Sequence, residues 1–129
     1  MSEPTSEVPG GIFQRALGIQ EEASSKGLDW ADAHGVLTKI REEVDEVEAT
    51  IRSGAKNSCS EEIGDLLFSA VNLARMLSIE PENALKEAVS KFERRFRDVL
   101  AAIRESGQNV EDMSIEELDV LWEATKRSD

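Results

Sequence analysis

The sequence has no tyrosine, one cysteine and one histidine. A single cysteine excludes an intrachain disulfide. With one histidine and one cysteine, a Ser-His or Cys-His nucleophile has no support. The lone His34 follows Ala31 at the three-residue spacing, so the Glu-x-x-His pairs of a di-iron carboxylate bundle are missing too. His34 reads as a surface or helix-start residue, and Cys59 as a small residue near a helix start. Basic residues are also scarce: 15 Lys and Arg face 27 Asp and Glu, a net charge of −12. A field of that sign repels phosphate backbones, which argues against binding DNA or RNA. It leaves room for a small phosphorylated ligand, because a bound cation can reverse the local sign. No stretch approaches the roughly 18 apolar residues of a membrane span. The N-terminal MSEPTSEVPGG has no apolar signal core, so a cytoplasmic location is expected.

What is present is helical. The 129 residues suit one domain. Residues 1–11, with two prolines and two glycines, read as a flexible arm, and 12–129 as a single helical domain. A first helix is expected over 12–26, ending near Gly27. Asp29 or Asp32 caps a second, whose apolar seam is Leu37, Ile40, Val44, Val47 and Ile51. Ser53-Gly54 ends it and GAKNSCS, 54–60, reads as a turn. Ser60 then caps a third helix running to about Ser78. Pro81 suits the first turn of a fourth, with Leu85, Ala88, Val89, Phe92, Phe96, Val99 and Ile103 as its apolar face and Gly107 past its end. Ser114 and Glu117 form a capping box for a fifth, carrying Ile115, Leu118, Leu121 and Trp122. No strand pattern occurs. The expectation is an all-α antiparallel bundle of about five helices.

The stretch SEEIGDLLFSAVNLAR, 60–75, carries two stripes at helical spacing. Ile63, Leu66, Leu67, Ala70, Leu73, Ala74 and Leu77 make an apolar stripe expected to face the core. Beside it run Glu62, Asp65, Ser69 and Asn72. The second helix repeats the acidic pattern: EEVDEV at 42–47 echoes EEIGDL at 61–66. Glu43 and Glu46 are three apart, as are Glu62 and Asp65, so each pair points one way from its helix. If the two seams pack together, four carboxylates meet at the core border, where Gly64 lets the backbones approach. Such a cluster needs protons or cations to neutralise it. Oxygen-only donors favour hard cations, so Mg²⁺ is implied, with Mn²⁺ as a substitute and a phosphate completing the coordination. Solvated acidic faces show the same spacing, and that reading stands beside the metal site.

REEVDEVEATI followed by EEIGDLLFSAVNLAR resembles the E-E-x-x-E … E-x-x-D signature of MazG-type nucleoside triphosphate pyrophosphohydrolases. GLDW at 27–30, PENAL at 81–85, KFERRF at 91–96 and LWEATK at 121–126 resemble, in order, further segments of the C-terminal domain copy in MazG proper. The resemblance implies an all-α fold, a homodimer or larger assembly, and hydrolysis of NTP or dNTP to NMP and pyrophosphate, in the manner of nucleotide pool cleaning. It implies Glu43, Glu46, Glu62 and Asp65 as catalytic metal ligands, Lys91 and Arg95 as triphosphate contacts, and Trp122 and Lys126 in the nucleotide pocket. The residues themselves agree, since Lys91 and Arg95 are four apart on one face and Arg grips phosphate with paired hydrogen bonds. Surface pairing of Lys91 with Glu87, and a Trp122 that only pins the last helix, are the plainer roles for the same residues. Trp30 is a further candidate for the base pocket, and Asn72 for a ligand water or sugar hydroxyl. The chain departs from MazG proper in carrying one domain copy rather than two, and Ser58 where a basic residue often precedes the E-x-x-D, leaving Lys56 as the nearest lysine. Other readings of the chain are a non-catalytic acidic module that senses nucleotides or binds partners, and a specialist for one modified, deoxy or histidine-pathway nucleotide.

Overall fold

The computed structural model describes residues 11–127, without the side chain of Lys56. Residues 1–10 of the expected arm lie outside them. Among the described residues there are five α-helices and no strand, as the periodicity predicts: α1 Gly11–Ser25, α2 Ala33–Ser53, α3 Lys56–Met76, α4 Pro81–Glu105 and α5 Ile115–Lys126. A 3₁₀ turn at Val110–Asp112, unforeseen in the sequence, precedes α5.

The punctuation residues act as their chemistry dictates. Past α1, Gly27 takes φ +93°, a left-handed geometry costly for a residue with Cβ. Asp32 caps α2 by accepting from the Gly35 N–H at 3.2 Å. Pro81 opens α4, where its missing N–H costs nothing. In the capping box of α5, the Glu117 N–H donates to Ser114 Oγ (3.1 Å), and the Ser114 N–H donates to Glu117 Oε1 (2.9 Å).

One boundary differs from expectation. The turn read at 54–60 is only Gly54 and Ala55, and α3 begins at Lys56. Ser60 lies inside the helix, and the Cys59 N–H already donates to the Ala55 carbonyl at 3.0 Å. Gly54, at φ +74°, reverses the chain by itself. No Gly or Pro follows until Gly64, and Asn and Ser cost a helix only tenths of a kcal/mol each.

The chain divides into two compact units after Glu82. In the first, α2 packs along α3, and α1 lies against α3. Leu17, Val36 and Val71 are its buried apolar side chains. In the second, Val99 and Ile103 are buried, and the Phe92 and Trp122 rings meet at 4.9 Å with a 46° tilt.

The largest correction concerns which stripes are covered. On α3 the expected core stripe is covered only in part: Leu66, Leu73 and Ala74 are half-buried, whereas Leu67 is 64% exposed and Ile63, Ala70 and Leu77 are also exposed. The polar stripe is covered over its second half: Ser69 and Asn72 are buried, Asn72 to 3%, while Glu62 is half-buried and Asp65 exposed. On α2, Val44 and Ile51 of the expected seam are exposed, while Val36 and Glu43 are fully covered. On α4, Leu85, Val89, Phe92 and Phe96 are half-exposed, and on α5 Ile115 is open. A helix covers only the arc it turns toward its neighbours. Within one chain α2 and α3 turn the arc bearing Glu43, Ser69 and Asn72 inward, so apolar periodicity alone misplaced the core.

Candidate active site

The hairpin of α2 and α3 brings three of the four expected acids into one cluster. Carboxylate oxygens of Glu43, Glu62 and Asp65 lie within 4.8 Å of one another. Glu43 is buried to 2%, Glu62 is half-buried and Asp65 exposed, so the cluster runs from the interior outward. Glu46, one turn along α2 from Glu43, is not part of that triad but acts on Glu62. A hydrogen bond shared with Glu46, then burial, then the charges of Glu46 and Glu43, push the Glu62 carboxyl up to about 7 from its ordinary 4.5.

Two oxygens of this cluster, Glu43 Oε2 and Glu62 Oε2, are buried without a hydrogen-bond partner among the described residues. Buried polar atoms are nearly always satisfied, and an unpaired acceptor on a carboxylate is costly. A donor set made only of carboxylate oxygens, two of them orphaned and inward-facing, fits a hard divalent cation. The other oxygen of Glu43 is taken. Lys39, one turn before it, places its ammonium 2.9 Å from Glu43 Oε1, and this contact raises the lysine pKa. The sequence reading missed Lys39, although its i,i+4 spacing from Glu43 was there to see.

A second constellation joins the α1–α2 connection to α3. Arg75 Nη2 donates to Asp29 Oδ1 (2.6 Å), and Arg75 Nε donates to Asn72 Oδ1 (2.8 Å). The Trp30 backbone N–H donates to the same Asp29 oxygen (2.8 Å). Hydrogen bonds from Arg75 and then Ser24 hold the Asp29 carboxyl at about 2, below its ordinary 3.8. Asn72 is therefore engaged by its own helix, and Trp30, 40% exposed, is set by the clasp. Neither Asp29 nor Arg75 was singled out for this role beforehand. Long-range pairs of this kind leave no periodic trace.

The remaining candidates belong to the second unit. Lys91 is exposed and Arg95 half-buried on α4. Lys126 pairs with Glu123 at 2.7 Å. One face of Trp122 lies against Phe92, which in turn stacks on Phe96 at 6.4 Å, so Trp122 does pin α5 to α4. The side chain of Lys56 lies outside what is described.

Residues 32–100 match the MazG nucleotide pyrophosphohydrolase domain, a span that contains all four acids, Asn72, Lys91 and Arg95. The chain belongs to the MazG family. It is 44% identical over 111 residues to the nucleoside triphosphate pyrophosphohydrolase/pyrophosphatase MazG of Thermotoga maritima, which covers 86% of this chain and 42% of that relative. It is 38% identical over 119 residues to the nucleoside triphosphate pyrophosphohydrolase of Escherichia coli K12, covering 91% of this chain and 45% of the relative. A 68-residue stretch is 44% identical to the uncharacterized protein YabN of Bacillus subtilis, 53% of this chain and 14% of that one. This MazG chain thus spans less than half the length of the relatives it matches. No helix among its described residues is long and apolar enough to cross a membrane.

Proposed function

We propose that this MazG domain hydrolyses nucleoside or deoxynucleoside triphosphates to the monophosphate and pyrophosphate, with Mg²⁺ held by Glu43, Glu46, Glu62 and Asp65, in the service of nucleotide pool cleaning. The observation that carries the reading is the pair of buried, partnerless oxygens on Glu43 and Glu62 inside a three-acid cluster. The naming of the two MazG relatives as nucleoside triphosphate pyrophosphohydrolases supports the same reaction. Bound there, a divalent ion neutralises phosphate charge and lowers the pKa of an attacking water.

The chain's own residues do the rest. The water oxygen forms a bond to the α-phosphorus as the bridge to the β-phosphate breaks, and Glu43 or Glu46 accepts the water proton. Pyrophosphate departs with its charge met by Lys91, Arg95 and Lys126. Trp30, Asn72 and Trp122 hold the nucleoside. The exposed apolar arcs of α2 and α3 support a homodimer in which a second copy covers Val44, Ile51, Ile63 and Leu67.

Product analysis tests the chemistry. Purified protein with Mg²⁺ and a panel of NTPs and dNTPs is expected to yield monophosphate and pyrophosphate, and the Glu62→Gln protein none. Diphosphate and orthophosphate would show a different reaction class. Saturable binding without turnover would make the chain a nucleotide sensor.

A further inference from the structure

Along α3 from the acids, the first unit contains a cavity of about 350 Å³, lined by Gln20, Leu28, Trp30, Phe68, Asn72 and Arg75 among others. That volume suits a small planar ligand. The exposed wall is almost wholly apolar, and its polar side chains Asp29, Asn72 and Arg75 are bonded to one another. Gln20, on α1, is 5% exposed, and its Oε1 is buried with no hydrogen-bond partner. Its amide orientation is fixed, because Nε2 donates to the Phe68 carbonyl at 3.0 Å, and a flipped amide would set two oxygens against each other there. Gln20 Oε1 is therefore the lining acceptor that is buried without a partner among the described residues.

The aromatic wall is also fixed. The Asp29 clasp holds the Trp30 backbone. A Cβ at Gly35 would fall 2.8 Å from Trp30 Cδ1, so this indole lies against the one α2 position without a side chain. Asn72 at the cavity is two turns beyond Asp65 on the same stripe, about 10 Å along α3 at 1.5 Å per residue. That separation is within the reach of a triphosphate and ribose.

We propose that this cavity seats the base of the nucleotide whose phosphates lie at the carboxylate cluster, with Trp30 against the ring face and Gln20 Oε1 accepting from an N–H on the base edge. This rests on the chain being a nucleotide hydrolase, and it adds a specificity residue, Gln20. A base lacking that donor leaves Oε1 buried and unpaired, a loss corresponding to about tenfold or more in affinity.

The test compares ATP with purine riboside triphosphate, which lacks only the exocyclic amino group. The protein has two tryptophans, and their indole N–H signals in a ¹H–¹⁵N spectrum, assigned with Trp30→Phe, locate the base. Product formation is followed in the same samples. ATP is expected to shift the Trp30 signal at concentrations about tenfold lower than purine riboside triphosphate does, and Gln20→Met is expected to bring the two together. Equal binding by the wild-type protein, or a shift confined to Trp122, would overturn the proposal, and neither result depends on Gln20→Met folding. The two readings fail separately. Hydrolysis without a Trp30 shift removes the base pocket and keeps the reaction. A Trp30 shift with the tenfold preference but no hydrolysis keeps the pocket and removes the reaction.

Discussion

At the scale of single residues, Glu62 carries the largest electrostatic tension. Its carboxyl is half-buried, and Glu46 and Glu43 both resist its ionisation. Replacing it with Gln removes a charge at nearly constant volume. The expected outcome for Glu62→Gln at pH 8 is an unchanged helical circular-dichroism spectrum and a melting temperature at or above the wild type without divalent ions, and no pyrophosphate release when Mg²⁺ is supplied. A drop in helicity would mean that the carboxylate supports the fold rather than the chemistry. Asp29 is the opposite case. Its pKa is depressed from 3.8 to about 2, so the folded chain favours the ionised form. The stability this contributes is fully present above about pH 4 and is lost as pH falls through 2. Asp29→Asn should lie below the wild type in melting temperature at neutral pH and converge with it near pH 2, as a pH series of thermal melts will show. The clustering of Glu43, Glu62 and Asp65 was legible because three-residue spacing on two helices is a local pattern. Gln20, Asp29 and Arg75 were not, since each acquires its role from a partner 46 or 48 residues away.

At the scale of elements, the helix boundaries followed residues whose backbone chemistry admits few alternatives: Gly27, Asp32, Gly54, Pro81 and Ser114. The start of α3 did not, because Lys56 to Ser60 is polar without being helix-breaking. The cap of α5 gives a direct check. Ser114 supplies one hydrogen bond of a reciprocal pair and holds the residue before the first turn. Ser114→Ala should cost about 1 kcal/mol in urea denaturation. Ser114→Thr, which keeps the hydroxyl, should recover most of it. The same polarity that hid the first turn of α3 hid its covered face. Ser69 and Asn72 look like solvent-facing residues in sequence, yet they are buried, while Leu67 is open. Hydropathy reports which residues avoid water in the finished assembly, and a single chain need not be that assembly.

At the scale of the whole molecule, the open arcs of α2 and α3 bear on self-association. Val44, Ile51, Ile63 and Leu67 are each at least 40% exposed, large apolar side chains open to a partner. Sedimentation velocity of the wild-type protein is expected to show a dimer, and Leu67→Glu to shift it toward the monomer while the helical signal persists. A wild-type monomer at all concentrations would remove the homodimer from the proposed function. The all-α class and MazG membership were legible from the ordered motifs, because each marks a segment of the chain rather than a contact between segments.

The two-residue connection at Gly54 and Ala55 has a kinetic consequence. It makes α2 and α3 neighbours at minimal sequence separation, so the loop-closure entropy of joining them is small. Contacts this local form early in folding. Closing the hairpin therefore brings Glu43, Glu62 and Asp65 together early. Repulsion among the acids of the hairpin is therefore met early in folding rather than late, and it opposes the contact that the short connection favours.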